Sequence, residues 1–253
     1  MKIKLIHFFI AAAFFALSSA QAQTGFESKR AWLIGIGLST NIPSGPWTDN
    51  FRENYSLSTS LGRKFATNII ISGEWNYLFG GEVDKRNNIL EAITTSNGQL
   101  LNANGSYAQI NINQRGTYFN LQVEKLFFSP EKNQNSGWSL GAGGGYAWHW
   151  LNIDNVGNDS PQLIDDYVAG YDRMSRGFLA TQSIGYMYLS NSKLINFKLS
   201  FEVNEIWSQD LRRYNYSTGF ISDATNLNLL YSLKLKWYLP IYLGGKTEEY
   251  YYN

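Results

Sequence analysis

From residue 31 onward the sequence alternates apolar and polar side chains with a period of two, over stretches too long for ordinary strands. Ile195–Trp207 places Ile195, Phe197, Leu199, Phe201, Val203 and Trp207 on one side, with Asn196, Lys198, Ser200, Glu202 and Asn204 on the other. Asn226–Leu239 does the same, setting Leu227, Leu229, Tyr231, Leu233, Leu235, Trp237 and Leu239 opposite Asn226, Asn228, Ser232, Lys234 and Lys236. Successive side chains of a strand point to opposite faces, so this period specifies strands with one apolar and one polar face. Six further segments carry it: Ala31–Ser39, Asn54–Leu61, Asn68–Phe79, Tyr118–Phe128, Trp138–Ile153 and Phe178–Leu189. The last is the least regular, because Gln182 falls among Phe178, Ile184, Tyr186 and Tyr188. Most of these segments exceed the ~5–6 residues of a globular strand and match the ~9–11 of a tilted membrane strand.

The connections choose the architecture. They fall at about 41–53, 62–67, 80–117, 129–137, 154–177, 190–194 and 208–225, long and short in alternation. Short periplasmic turns, longer outside loops and an even strand number describe an up-and-down outer-membrane barrel. The expected fold is therefore all-β: an antiparallel up-and-down transmembrane β-barrel of eight strands. Aromatic residues agree with two membrane interfaces. Trp75, Tyr77, Phe79, Trp148, Trp150 and Trp207 gather toward one set of strand ends, and Phe65, Phe127, Phe128, Trp138, Trp237 and Tyr238 toward the other.

The N-terminus reads as an address. Lys2 and Lys4 precede an apolar run from Leu5 to Leu17, and Ala20-Gln21-Ala22 gives an Ala-x-Ala exit. This three-part pattern predicts a secretory signal over 1–22, cut after Ala22, then a barrel over 23–242 and a periplasmic tail over 243–253. The apolar run is short of the ~20 residues that span a bilayer as a helix. Cysteine is absent, which removes disulfides, thiolate-held metals and a lipoprotein anchor. A formal net charge of +1 speaks against nucleic acid as a partner.

The closing run from Asn226 to Tyr242 is similar to the terminal strands of the small outer-membrane β-barrel proteins of Bacteroidota, built on the OmpA-type eight-stranded plan. Asn, Tyr and Ile usage and the Ala-Gln signal exit fit that resemblance, and the tail from Leu243 departs from it. The resemblance implies location in the outer membrane of a Gram-negative cell. The residues themselves point to a non-enzymatic protein without a cofactor that presents its long connections outward or serves as an accessory subunit of an envelope complex, with outer-membrane lipids and lipopolysaccharide, and another envelope protein, as the expected partners.

The residues themselves offer few candidate sites. Glu74, Glu124, Lys198, Glu202, Lys234 and Lys236 lie on the polar face, three of each sign. An eight-stranded interior is just wide enough for side chains to fill, and buried charges persist when paired. The expectation is a salt-bridged plug; the alternative is a narrow ion path and a small channel. His149 becomes the only histidine after signal removal, and a Ser–His pair would make a lipid-modifying enzyme. No nucleophile-elbow motif accompanies it. Asp154, Asp159, Asp165, Asp166 and Asp172 make one long connection acidic without EF-hand spacing. Arg212 and Arg213 beside Tyr214 and Tyr216 could meet lipopolysaccharide phosphates at the surface. Gly141, Gly143, Gly144 and Gly145 lie inside a strand and so make lumen space or curvature, not a phosphate cradle.

Overall fold

The computed structural model describes residues 28–243 apart from 50, 81–82, 84–88, 158, 191–194, 213, 218 and 220–223. The expected signal at 1–22, residues 23–27 of the expected barrel and the tail beyond Leu243 lie outside the described residues. Eight strands follow in order: β1 (Arg30–Ser44), β2 (Asn54–Lys64), β3 (Ile69–Phe79), β4 (Gln109–Phe127), β5 (Gly137–Val156), β6 (Ser175–Leu189), β7 (Asn196–Asp210) and β8 (Asn226–Leu243). Each pairs antiparallel with the next, and β8 closes on β1 from Arg30↔Leu243 to Ser44↔Leu229. Closure satisfies both edges, so no strand is left open to pair with another chain. The connections at 45–53, 80–108, 157–174 and 211–225 gather at one end, which we call the upper end. Those at 65–68, 128–136 and 190–195 gather at the lower end with both chain termini of the barrel.

The alternation in sequence becomes an outside and an inside. Leu38, Leu121, Leu61 and Leu235 on the outer wall are 61, 59, 56 and 55 % exposed, within a continuous apolar belt. Monomeric proteins in water rarely expose apolar surface on this scale. Inside there are three layers. Ala31, Leu33, Ile70, Leu126, Met187, Leu189 and Tyr238 pack the lower end. Buried polar and charged residues fill the middle. Trp47, Phe51, Leu78, Ile89, Leu90 and Leu100 pack under the upper connections, with Ile110, Ile112 and Ile153 against them.

Several strands run past their expected ends: β1 ends at Ser44 rather than Ser39, β8 at Leu243 rather than Leu239 and β5 at Val156 rather than Ile153. The longest extension is that of β4, which begins at Gln109 rather than Tyr118. The alternation continues there with its sense reversed. Ile110 and Ile112 turn inward to the upper apolar layer while Asn111, Asn113 and Arg115 face out. Along this extension the outer positions are polar, and the apolar ones cap the lumen. Tyr238 is a second correction: it is 5 % exposed and belongs to the lower lumen, not to an aromatic girdle.

The inward glycines of β5 make the middle layer possible. Gly141, Gly143 and Gly145 are the register partners of Glu124, Gln122 and Asn120 on β4. A Cβ on Gly141 would lie 2.7 Å from the Glu124 Cγ, and one on Gly143 2.7 Å from the Gln122 Cγ. The missing side chains are the space that these three larger ones occupy.

Candidate functional site

The middle layer is organised around one ammonium group. Lys234 Nζ on β8 donates to Glu74 Oε1 on β3 at 2.6 Å, to Glu202 Oε2 on β7 at 2.6 Å and to Asn76 Oδ1 at 3.1 Å. Lys236 donates to the other oxygen of Glu74, and Lys198 pairs with Glu124. Ser200 Oγ adds a bond to Glu202 Oε1 at 3.2 Å. The structure therefore brings all six charged residues singled out from the sequence into ion pairs, each carboxylate with at least one lysine. β1 and β2 separate β8 from β3, so the Lys234–Glu74 and Lys236–Glu74 bonds tie opposite walls across the lumen. Small residues let the lysine stems pass. A Cβ on Gly37, the register partner of Lys236, would stand 2.8 Å from the Lys236 Cγ. Ser56 and Ser58 continue that small wall on β2.

Above the charges runs a chain of amides. Asn41 Nδ2 donates to Asn54 Oδ1 at 2.9 Å, and Asn54 Nδ2 to Gln114 Oε1 at 2.9 Å. On the far side Asn120 Nδ2 donates to Thr181 Oγ1 at 3.2 Å, and Thr181 to Asn204 Oδ1 at 2.8 Å. Asn54, Asn120, Thr181 and Asn204 fall within the alternating segments, whereas Asn41 and Gln114 fall in the expected connections at 41–53 and 80–117. Nothing in one strand shows which distant strand its amide will meet.

His149 sits where the polar layer ends. The ring lies against Trp47 and Phe51, with centroids 4.3 and 5.3 Å away, and is 6 % exposed. Trp47 reaches it from a short 3-10 helix, Gly45–Asp49, in the first upper connection. Ser175 Oγ lies 3.0 Å from Nδ1 and 3.3 Å from Nε2. A hydroxyl nearly equidistant from both ring nitrogens is not in line with either lone pair, which a general base acting on serine requires.

At the upper rim Arg212 Nε donates to Asp172 Oδ1 at 2.9 Å, and its Nη2 donates to the second oxygen. The Asp172 carboxylate raises the Arg212 guanidinium above its ordinary pKa. Asp172 Oδ1 also accepts from the Met174 amide at 3.0 Å. The fork of Arg212 is thus engaged within the protein and joins the third upper connection to the fourth; Arg213 lies outside the described residues. Of the other aspartates in that acidic connection, Asp159 accepts from Asn102 Nδ2 at 2.8 Å. Among the described residues no group of three or more His, Cys, Asp or Glu is placed to hold a metal ion.

The outer wall holds a pair that sequence reading missed. Gln182 Nε2 donates to Glu205 Oε1 at 3.1 Å, and both side chains point away from the lumen, since Thr181, Ser183, Asn204 and Ile206 face inward. The irregularity of β6 was the available signal for Gln182; Glu205 gave none until the two strands were in register.

No protein-family model matches the chain, and no curated protein matches it. Among solved structures it is similar to Ail, the attachment invasion locus protein of Yersinia pestis, at 8 % identity with a TM-score of 0.43, covering 83 % of this chain and 99 % of that one. It is also similar to Neisserial surface protein A, at 9 % identity with a TM-score of 0.41, over 81 % of this chain and 95 % of that one. The outer membrane protein OprG from Pseudomonas aeruginosa is 10 % identical with a TM-score of 0.36, over 86 % of this chain and 97 % of that one.

Proposed function

We propose that the chain is an integral outer-membrane barrel of a Gram-negative cell, with a plugged lumen, acting through the surface its upper connections build or as an accessory subunit of an envelope complex. One observation carries this reading: an apolar outer wall surrounds an interior filled at every level, by apolar side chains at both ends and paired charges between. A bilayer is the solvent that such a wall fits, and a closed barrel leaves no backbone group unsatisfied in it. The signal pattern over 1–22 supports export, and Asn, Tyr and Ile usage supports an origin among Bacteroidota. The upper connections then face outside, where lipopolysaccharide and other envelope proteins are the available partners.

A channel would need a continuous wet path, which the cross-lumen lysines and the Trp47–Phe51 cap occupy. An enzyme resting on His149 would need its ring and a serine open to lipid, whereas both are buried. His149→Phe should keep the packing beneath Trp47 and leave the cell's lipid A and phospholipid profiles unchanged.

The reading is tested by fractionation and tagging. The protein should stay in the membrane pellet after carbonate washing. Epitopes inserted at Asp49, Asn97, Asp165 and Tyr214 should stain on intact cells, whereas one at Asn133 should not. Recovery in the soluble periplasm, or staining at Asn133 alone, would overturn it.

A further inference from the structure

The Gln182–Glu205 pair lies in the part of the wall that the proposed bilayer solvates. In register Glu205 stands opposite Ala180, one rung inside the Phe178–Trp207 pair, and Gln182 opposite Val203, one rung deeper. Polar and ionisable groups at membrane depth are costly and mark function. Beside the pair the wall carries only small residues: Gly144 lies opposite Ala180, and Ala142 opposite Gln182. A Cβ on Gly144 would meet nothing closer than the Leu179 carbonyl oxygen at 3.4 Å. On the far bank stand Leu121 and Val123, opposite Gly144 and Ala142. The result is a shallow depression with an apolar floor and a polar margin.

The carboxylate fixes what that margin presents. A carboxylate accepts, so the Gln182 amide turns its nitrogen to Glu205 and leaves Oε1 as an acceptor on the outer wall. Oε1 has no partner among the described residues. Higher on the same strand Arg176 is exposed, in register with Trp148 and Gln209. Its guanidinium makes no hydrogen bond among the described residues. Six residues separate it from Gln182, about 20 Å along a strand at ~3.3 Å per residue and about 15 Å along the bilayer normal at ~40° of tilt. The long Arg side chain shortens that span toward the distance from a head-group phosphate to the first carbons of an acyl chain.

We propose that this depression holds one phosphorylated glycolipid of the outer leaflet, its phosphate on Arg176 and an acyl chain over Gly144 and Ala142, with a 3-hydroxyl or amide N–H of that chain donating to Gln182 Oε1. Charge and hydrogen-bond complementarity select this occupant. Guanidinium forks match phosphate oxygens. An ester-linked phospholipid offers only acceptors at acyl depth and cannot satisfy the Gln182 oxygen, whereas a 3-hydroxyacyl amide brings donors there. Glu205 acts as a positioning residue, holding the amide in the orientation that accepts. The inference rests on the outer-membrane reading above and assigns a lipid site to that wall.

Native mass spectrometry of the mature barrel in micelles tests it, with a 3-hydroxyacylated monophosphoryl lipid A and, for contrast, dimyristoyl phosphatidic acid. Wild type should retain one lipid A at activation energies that strip phosphatidic acid. Gln182→Leu should lower lipid A retention roughly tenfold, the effect of losing one strong hydrogen bond, without changing phosphatidic acid. Glu205→Leu should act in the same direction, and Arg176→Gln should weaken both lipids. Both leucine variants add apolar surface to the belt, so folding should persist, checked by heat-modifiable migration on gels. Equal retention of the two lipids, or retention unchanged by Gln182→Leu, overturns the site while leaving the barrel reading intact. A protein dimer that Glu205→Leu dissolves would instead assign the depression to a second copy. Failure of the wild-type chain to insert into vesicles would overturn the outer-membrane reading and the site with it.

Discussion

Lys234 and Glu202 meet at 2.6 Å although neither is the other's register partner: Lys234 lies opposite Ser200, and Glu202 opposite Ser232. The bond is diagonal, and both positions opposite the charges are serines. A larger residue at either position would crowd the diagonal. Two carboxylates therefore converge on one ammonium, one from the neighbouring strand and one from across the barrel, with all three side chains fully buried.

That convergence makes the two partners unequal. Removing one member of a buried pair leaves an uncompensated charge, costing on the order of 3–5 kcal/mol. Glu202→Gln leaves Lys234 its bond to Glu74, so it should lower the barrel's unfolding midpoint modestly. Lys234→Met strips Glu202 and half of Glu74 together and should lower it more. The double change should recover part of the Lys234→Met loss, because Glu202 is then neutral, while Glu74 keeps Lys236. Urea unfolding in vesicles across the four proteins measures the coupling; strictly additive losses would show that the two residues do not interact in the membrane.

The glycines of β5 allow a comparison between neighbouring positions. Gly143 faces the lumen, where a Cβ would stand 2.7 Å from the Gln122 Cγ and press the Leu121 carbonyl oxygen. Gly144 faces out, where a Cβ would meet only the Leu179 carbonyl oxygen at an ordinary 3.4 Å. Gly143→Ala should destabilise the barrel by roughly 1–3 kcal/mol, as overpacking does. Gly144→Ala should stay within about 0.5 kcal/mol of wild type. Unfolding midpoints decide it, and equal losses at the two positions would mean that the lumen has slack.

The rim offers a different readout. The Asp172–Arg212 fork links the third and fourth upper connections, and Asp172 also holds the Met174 amide. The Arg212 side chain is 36 % exposed, so little global stability rests on this pair. Arg212→Ala should instead speed hydrogen exchange across 157–174 while leaving the β6–β7 ladder protected. Unchanged exchange would show that other contacts hold that connection.

How far the sequence speaks follows from which solvent each residue meets. Leu227 to Leu239 and Ile195 to Trp207 show their faces plainly because lipid-like and lumen environments differ at every rung. The signal fades at Ile110 and Ile112, which face inward while the outer positions turn polar, so the same alternation means the reverse. Six of the inward charges were legible as a set that sums to zero; Lys64, buried at the lower end on Ser28, Asn135 and the Lys29 carbonyl, was not. That Lys234 would bridge to Glu74, with β1 and β2 between their strands, depends on barrel closure, which no local pattern encodes. Trp47 and Phe51 lie in a connection outside any period, so their cap over His149 emerges only with the fold. Glu205 was hidden for another reason: its strand is so regular that one polar residue on the apolar face reads as noise until Gln182 is beside it.

Because the three interior layers lie in series, conductance is expected to resist any single change. Lys234→Met removes the hub of the charged layer but leaves Lys198–Glu124 and Lys236–Glu74 in place beneath the Trp47–Phe51 cap. Trp47→Ala thins that cap but leaves the cross-lumen lysines. Glu202→Gln keeps the side chain's volume. Each variant in a planar bilayer should show no steps above the bare-lipid baseline. A large new conductance from any one of the three would mean that a single layer seals the barrel, and would favour a gated channel over a closed plug.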